Sequence, residues 1–213
     1  MTDSPSPPSR NYRGQSPDSR RAERRQLLLE AALEVVAKQG YSNTTVRNLC
    51  STAGLTERYF YESFRNREAL LGELYLQQTA LLRDAMLQAI DQPGLTTEQT
   101  MHAGLRAFFE TLQTRPALAR VILFEIFGVS KAMDALYYQA TEEFAELLGE
   151  LAQALGISEL STAANKSMVY AGLVGAVVQM ARRWALNDYR ESLESPLESS
   201  MLLFTAVAQS VNS

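Results

Sequence analysis

Apolar positions along this chain recur at helical spacing almost from end to end. Leu28, Ala31, Ala32, Val35 and Val36 fall at i, i+3, i+4, i+7 and i+8, one face of a helix that starts near Arg20 and stops at Gly40. Asn43-Thr44-Thr45 offers a cap to a short helix reaching about Ala53; Gly54 breaks the chain, and Thr56 caps a third helix ending near Ser63. Asn66 caps a fourth helix with Glu68 in its first turn, where the helix dipole favours an acid, and Pro93-Gly94 ends it beyond Ile90. Further helices are expected near 97–113, 116–127, 130–155, 159–187 and 196–211, separated by Pro116, Gly128, Gly156 and the Asn187–Pro196 stretch. No useful run alternates with period two, and no segment repeats at a fixed interval. The pattern predicts an all-α chain of nine helices in two packed groups, with a boundary inside the fourth helix near residue 68. Residues 1–19, rich in Pro, Ser and Arg, read as a disordered basic tail.

Composition narrows the function classes. With 46% apolar and 21% charged residues in 213, the chain has the material for a real core. Cys50 is the single cysteine, so no disulfide can close within the chain, which fits a reducing cytoplasm. His102 is the single histidine. A Cys/His zinc site and most acid–base schemes thereby lose their usual groups, and neither an enzyme nor a cofactor or metal is expected. The first residues contain no apolar run, and the longest apolar stretch, Tyr170–Ala181, is too short to span a bilayer. The expectation is a cytoplasmic protein without a membrane partner. Net charge is −4, but unevenly placed: residues 1–67 hold 11 Lys/Arg against 7 Asp/Glu, and the other 146 residues hold 9 against 17. A basic end carried by an acidic body suits an anionic partner at the N-terminal end.

The segment Thr44–Phe64, TTVRNLCSTAGLTERYFYESF, accounts for that partner. Leu49 and Leu55 are apolar anchors, and Cys50 is small enough to let one helix cross closely over another. Gly54 supplies the turn, and Phe60 docks the second helix back. This is the spacing of a helix-turn-helix. The N-terminal residues of the second helix, Thr56, Glu57, Arg58 and Tyr59, would face base edges in the major groove of double-stranded DNA. Arg58 can pair with guanine and Glu57 can accept from cytosine; otherwise both are solvated surface residues. Thr44, Thr45, Arg47, Tyr61 and Arg67 are placed to donate to phosphates, with core packing as the other reading of Tyr61. Arg25 closes a basic run with Arg20, Arg21 and Arg24 that reads either as a DNA-contacting arm or as a solvated helix end. Cys50 reads as a small buried residue rather than a redox switch.

Over Arg25–Tyr75 the chain resembles the tetracycline-repressor (TetR) family of bacterial regulators, most tellingly through GLTERYFYESFRNREALL, Gly54–Leu71. Gly54, Leu55, Thr56, Phe60, Tyr61, Phe64, Arg67, Glu68 and Leu70 match the family pattern. Ser63 stands where the family often has His, and Tyr59 where a small residue is common, so no operator sequence carries over. The resemblance implies residues 20–67 as the DNA-binding domain and 68–213 as a domain for ligand binding and dimerisation. It further implies a helical cavity that admits a small effector, a homodimer built from the last two helices of each chain, and a palindromic operator.

The C-terminal two-thirds carries no catalytic constellation but is rich in aromatics and Met. Phe109, Phe124, Phe127, Tyr137, Tyr138 and Met168 are candidate walls of a pocket, with a plain core as the competing reading. Arg106, Tyr137 and Gln179 are candidate polar anchors by residue type alone. The stripe Leu197, Met201, Phe204, Ala208 and Val211 is expected to pair subunits, with Ala171 and Gly175 permitting close helix approach; the competing reading is packing within the chain. Together these features predict a repressor released from DNA by a small apolar or aromatic effector. The rival is a helical ligand-binding or scaffold protein without effector-controlled release.

Overall fold

Ser16 accepts a hydrogen bond from the Ser19 N–H and Pro17 takes the first helical position, where a missing N–H costs nothing, so helix α1 runs Pro17–Gln39. The computed structural model describes residues 16–156 and 165–209. Residues 16–19 therefore cap and begin a helix instead of belonging to a tail; residues 1–15 of the expected tail lie outside the described part. A single 3-10 turn, Tyr41–Asn43, leads to α2 (Val46–Ala53), whose start is tied by a reciprocal bond pair between Thr45 and Asn48. Gly54 ends α2 at φ 66°, a left-handed conformation that glycine adopts without penalty. Helix α3 (Glu57–Ser63) then crosses back, and α4 (Arg67–Ile90) begins at Asn66, whose side chain accepts from the Ala69 N–H.

Helix α5 (Thr97–Thr114) starts with a second such pair, Thr96 and Gln99, and α6 (Pro116–Arg120) starts with a proline at its first position. The helix expected over 116–127 is in fact two pieces: α6 widens into a π-helical turn at Val121–Glu125. Periodicity could not foretell this, because the π turn is set by what the segment packs against. Helices α7 (Lys131–Ala154), α8 (Lys166–Leu186) and α9 (Glu194–Gln209) complete the chain, and every regular element among the described residues is helical. The expected start of α8 at 159 and the end of α9 at Val211 fall outside the described residues.

The helices enclose two cores. The first packs Leu28, Val36, Leu49, Cys50, Phe60 and Leu71 where α1–α4 meet. The second packs Phe109, Leu112, Leu123, Trp184 and Leu197 among α5–α9. Helix α4 contributes Leu70, Leu74 and Tyr75 to the first and Leu82 to the second, so it is shared, and no clean border falls at residue 68.

The stripe proposed for subunit pairing turns inward. Leu197 and Phe204 are buried in the second core, and Met201 packs against it. Helix α9 instead exposes Leu202 and Leu203, and α8 exposes Gly175, Met168 and Leu186. An amphipathic pattern shows that one face is buried but not whether the cover is its own chain. No helix among the described residues is long and apolar enough to cross a membrane.

Candidate nucleic-acid interface and interior cavity

Helix α3 presents Thr56, Glu57, Arg58 and Tyr61 to solvent. The Arg58 side chain is 84% exposed and pairs with Glu62 one turn later at 2.9 Å. An exposed pair of this kind is worth little, so Arg58 is free to exchange it for a base edge. Tyr61 is 60% exposed, and its ring meets Phe60 edge-on at 5.3 Å, which aims the phenol outward and removes the core-packing reading. Arg47 and Thr45 are exposed beside them at the start of α2, where free N–H groups and the helix dipole favour an anion.

The other expected contacts are occupied within the fold. Thr44 is 1% exposed and its hydroxyl donates to the Gly40 carbonyl at 2.9 Å, so it has no proton left for a phosphate. Arg67 donates to the Thr44 carbonyl and lies over the Tyr41 ring. Arg25 donates to both Glu73 oxygens and to the Ser63 carbonyl, stacked over Phe64 at 4.3 Å. Arg21 donates to the Glu62 carbonyl at 2.9 Å, and Arg24 covers the Tyr59 ring at 4.5 Å. These α1 cations gather at the C-terminal end of α3, where unpaired carbonyls and the negative dipole end attract them. Arg21, Arg24 and Arg25 thus clamp the end of α3. Tyr59 faces that clamp. Cys50 is buried, and its burial, with Glu57 nearby, pushes the thiol up, away from the reactive thiolate form.

A latch joins this head to the second core. Arg120 of α6 donates to the Ala37 carbonyl at 3.1 Å and to Glu125 Oε1 at 2.8 Å; the Tyr41 N–H donates to Glu125 Oε2 at 2.7 Å. The π turn thus grips the C-terminal end of α1. Gly40 sits between them at φ 81°, and a Cβ there would come within 3.3 Å of Arg120 Nη2 and 3.5 Å of Glu125. On the other side of the seam the Ser130 hydroxyl donates to Glu68 at 2.8 Å.

Behind the latch lies an elongated apolar cavity of about 160 Å³. Its walls run from Tyr75 to Ile90 on α4 and from Tyr137 to Leu155 on α7, closed by residues of α5, the π turn, α8 and Phe204 of α9. At ~1.5 Å per helical residue, the α4 wall spans about 22 Å. Thr79, Thr100 and Thr141 line it, but each hydroxyl donates to a carbonyl of its own helix. Ile122 and Leu123 of the π turn are wall residues, so the element that grips α1 also touches the cavity.

Of the pocket residues expected from sequence, Tyr137 lines this cavity. Phe109 is in the core between Phe108 and Trp184; Phe124 packs against the same core. Phe127, Tyr138 and Met168 are largely exposed, as is Gln179. Arg106 pairs with Glu110 and Glu194 outside the cavity. Choosing pocket residues by type favours large aromatics, which fill space; the actual walls are mostly aliphatic side chains that the sequence does not distinguish from core. No group of three or more His, Cys, Asp and Glu among the described residues could hold a metal.

Residues 28–74 match the family model described as bacterial regulatory proteins, tetR family. The chain is 28% identical over 186 residues to the HTH-type transcriptional activator FasR of Mycolicibacterium smegmatis, covering 85% of this chain and 81% of that one. Among solved structures it is similar to the fatty acid degradation regulator FadR from Bacillus halodurans, with TM-score 0.73, 18% identity, and 89% and 95% of the two chains covered. It is also similar to FadR from Bacillus subtilis in complex with stearoyl-CoA, with TM-score 0.72, 19% identity, and 84% and 96% covered. The two structures share its fold.

Proposed function

As a transcriptional regulator of the tetR family, this chain, we propose, is a repressor whose homodimer holds a palindromic operator until a long-chain acyl effector fills the C-terminal cavity. The observation that carries the reading is the shared element: the π turn lines the cavity with Ile122 and Leu123 and grips α1 through Arg120 and Glu125. A chain that needs the cavity open favours one placement of the π turn, hence one placement of α1 and the reading helix it clamps. Such a ligand shifts the population between two head spacings, and only one fits successive major grooves. The apolar walls and their length of about 22 Å suit an extended alkyl chain better than a compact aromatic. The stearoyl-CoA of the Bacillus subtilis neighbour supports the same choice.

Arg58, Glu57 and Thr56 would read bases, while Thr45, Arg47 and Tyr61 hold phosphates. The exposed apolar face of α8 and α9, including Gly175, Leu202 and Leu203, would pair the subunits in the cytoplasm. A titration of the purified protein onto its own upstream DNA tests all of this. Binding is expected to weaken steeply with salt, by about 0.9 in logarithmic slope per phosphate, and to be reversed by acyl-CoA of long but not short chain. No shift on any fragment at low salt, or binding indifferent to every chain length, overturns the reading.

A further inference from the structure

Along most of the cavity the few polar wall groups are bonded within their own helices, but not at the end nearest the N-terminal head. Tyr75 forms part of the wall there, is 2% exposed, and its hydroxyl makes no hydrogen bond among the described residues. A phenol on a cavity wall whose hydroxyl the fold leaves unbonded keeps a donor for whatever occupies the cavity. Tyr137 lines the same end from α7, and its hydroxyl also has no partner among the described residues. Beside it stands Arg182 of α8, its guanidinium 5.4 Å from the centre of the Tyr137 ring. Arg182 uses Nε on the carbonyl of the wall residue Leu123, at 2.9 Å. It is half-buried and forms no ion pair among the described residues, whereas Arg25, Arg58, Arg106 and Arg120 all have carboxylate partners. Tyr75 feels both Tyr137 and Arg182 electrostatically, which places the three groups in one neighbourhood. Burial above all pushes its phenol up, so it remains a proton donor at any physiological pH. Glu143 is the acid that also reaches Tyr75, and it accepts from Gln139 on the outer face of α7.

We propose that Tyr75, Tyr137 and Arg182 form a recognition subsite for a carboxylate or carbonyl oxygen carried at one end of the apolar effector. This rests on the cavity being the effector site and adds the direction in which the effector lies: oxygen end toward the reading head, methyl end toward Ile90 and Leu155. Two wall tyrosines and the neighbouring Arg182 bring unused donors to one end of the cavity, whereas the wall threonines bond their own helices. Arg182 also bonds the π turn through Leu123, so an oxygen drawn to its free N–H groups acts on the same turn that grips α1.

The test is binding of three sixteen-carbon probes to the full-length protein: hexadecanoate, hexadecanoyl-CoA, and hexadecane delivered from cyclodextrin. The wild type is expected to prefer the oxygen-bearing probes by at least about tenfold, the scale of a hydrogen bond to a charged or strongly polar acceptor. Tyr75→Phe and Arg182→Met should each erase most of that preference and leave hexadecane binding unchanged. If the acceptor is a free carboxylate, Arg182→Met weakens hexadecanoate more than the thioester; if it is a thioester carbonyl, Tyr75→Phe weakens the thioester at least as much. Tyr75→Phe removes only an oxygen without a partner, so its melting temperature without ligand should equal or exceed that of the wild type, and this variant keeps the test sound should Arg182→Met fold poorly. Equal affinity of Tyr75→Phe and wild type for both oxygen-bearing probes, or no preference in the wild type, overturns the subsite while the cavity reading stands. Failure of all three probes to bind the wild type overturns both.

Discussion

In the N-terminal head the inward-facing arginines are engaged within the fold: Arg21, Arg24 and Arg25 close on the end of α3, and Arg67 holds the Thr44 carbonyl, while Arg24 Nε and Ser63 Oγ are buried without a hydrogen-bond partner. Around the cavity, Tyr75, Tyr137 and Arg182 keep donors that no described residue accepts. The head turns its inward-facing cations onto its own helix ends, whereas the cavity end keeps donors beside open space. Cations that bond the fold's own carbonyls hold the structure; donors left beside a cavity point to something that arrives later. In the head the same logic works by exposure, since Arg58 and Tyr61 stand in water with only a weak pair between Arg58 and Glu62 to give up.

The contrast can be broken most forcefully at Phe60, which is fully buried where α3 docks. Phe60→Ala should cost about 3–5 kcal/mol and abolish DNA binding, while the second core retains its ligand affinity. Loss of acyl binding in the same variant, read by calorimetry beside circular dichroism melts, would mean that the two regions are not separable. Arg58→Ala and Arg25→Ala divide the head itself. Arg58→Ala should lower affinity for the operator by about 1–3 kcal/mol without lowering the melting temperature, and hardly affect scrambled DNA. Arg25→Ala should lower the melting temperature and weaken both DNAs alike; fluorescence anisotropy on the two sequences separates the outcomes.

Gly40→Ala sharpens the comparison at the latch. It forces an alanine to φ 81° and crowds Arg120, so a destabilisation of about 1–2 kcal/mol is expected. DNA release by effector should become less complete, and an unchanged release curve would show that the latch does not transmit. The smallest effect concerns pH. Tyr75 is held neutral by burial above its ordinary value of 10.0. Its contribution is complete below pH 10 and is lost as pH rises past it, because the unfolded chain ionises there and the folded one does not. Melting curves between pH 8 and 11 should therefore slope less steeply for Tyr75→Phe than for the wild type. Identical slopes would place the tyrosine in water.

Much of this molecule was legible before any coordinates. Each helix start that rests on a short side chain binding a nearby N–H, such as Thr45, Asn66, Thr96 and Ser130, is a contact across three residues and can be read from sequence. The helix-turn-helix is equally local: Gly54, Phe60 and the exposed face of α3 lie within one short segment. The pocket was not legible. Phe109 and Phe127 have the same composition signal, yet one is core and the other surface. Arg25 and Arg58 look alike in sequence, but only the tertiary structure shows Arg25 bonded to Ser63 and Glu73 while Arg58 stands exposed.

What the sequence determined by itself was therefore what is decided over three to twenty residues: the helices, most of their caps, and the turn at Gly54. Only the tertiary structure decided the partners of the arginines, the inward turn of Leu197 and Phe204, the π turn at Val121–Glu125, and the meeting of Tyr75, Tyr137 and Arg182 from three separate helices. Helix formation answers to nearby backbone and side-chain bonds. Which face is covered, and which donor is left without an acceptor, answers to groups far away along the chain.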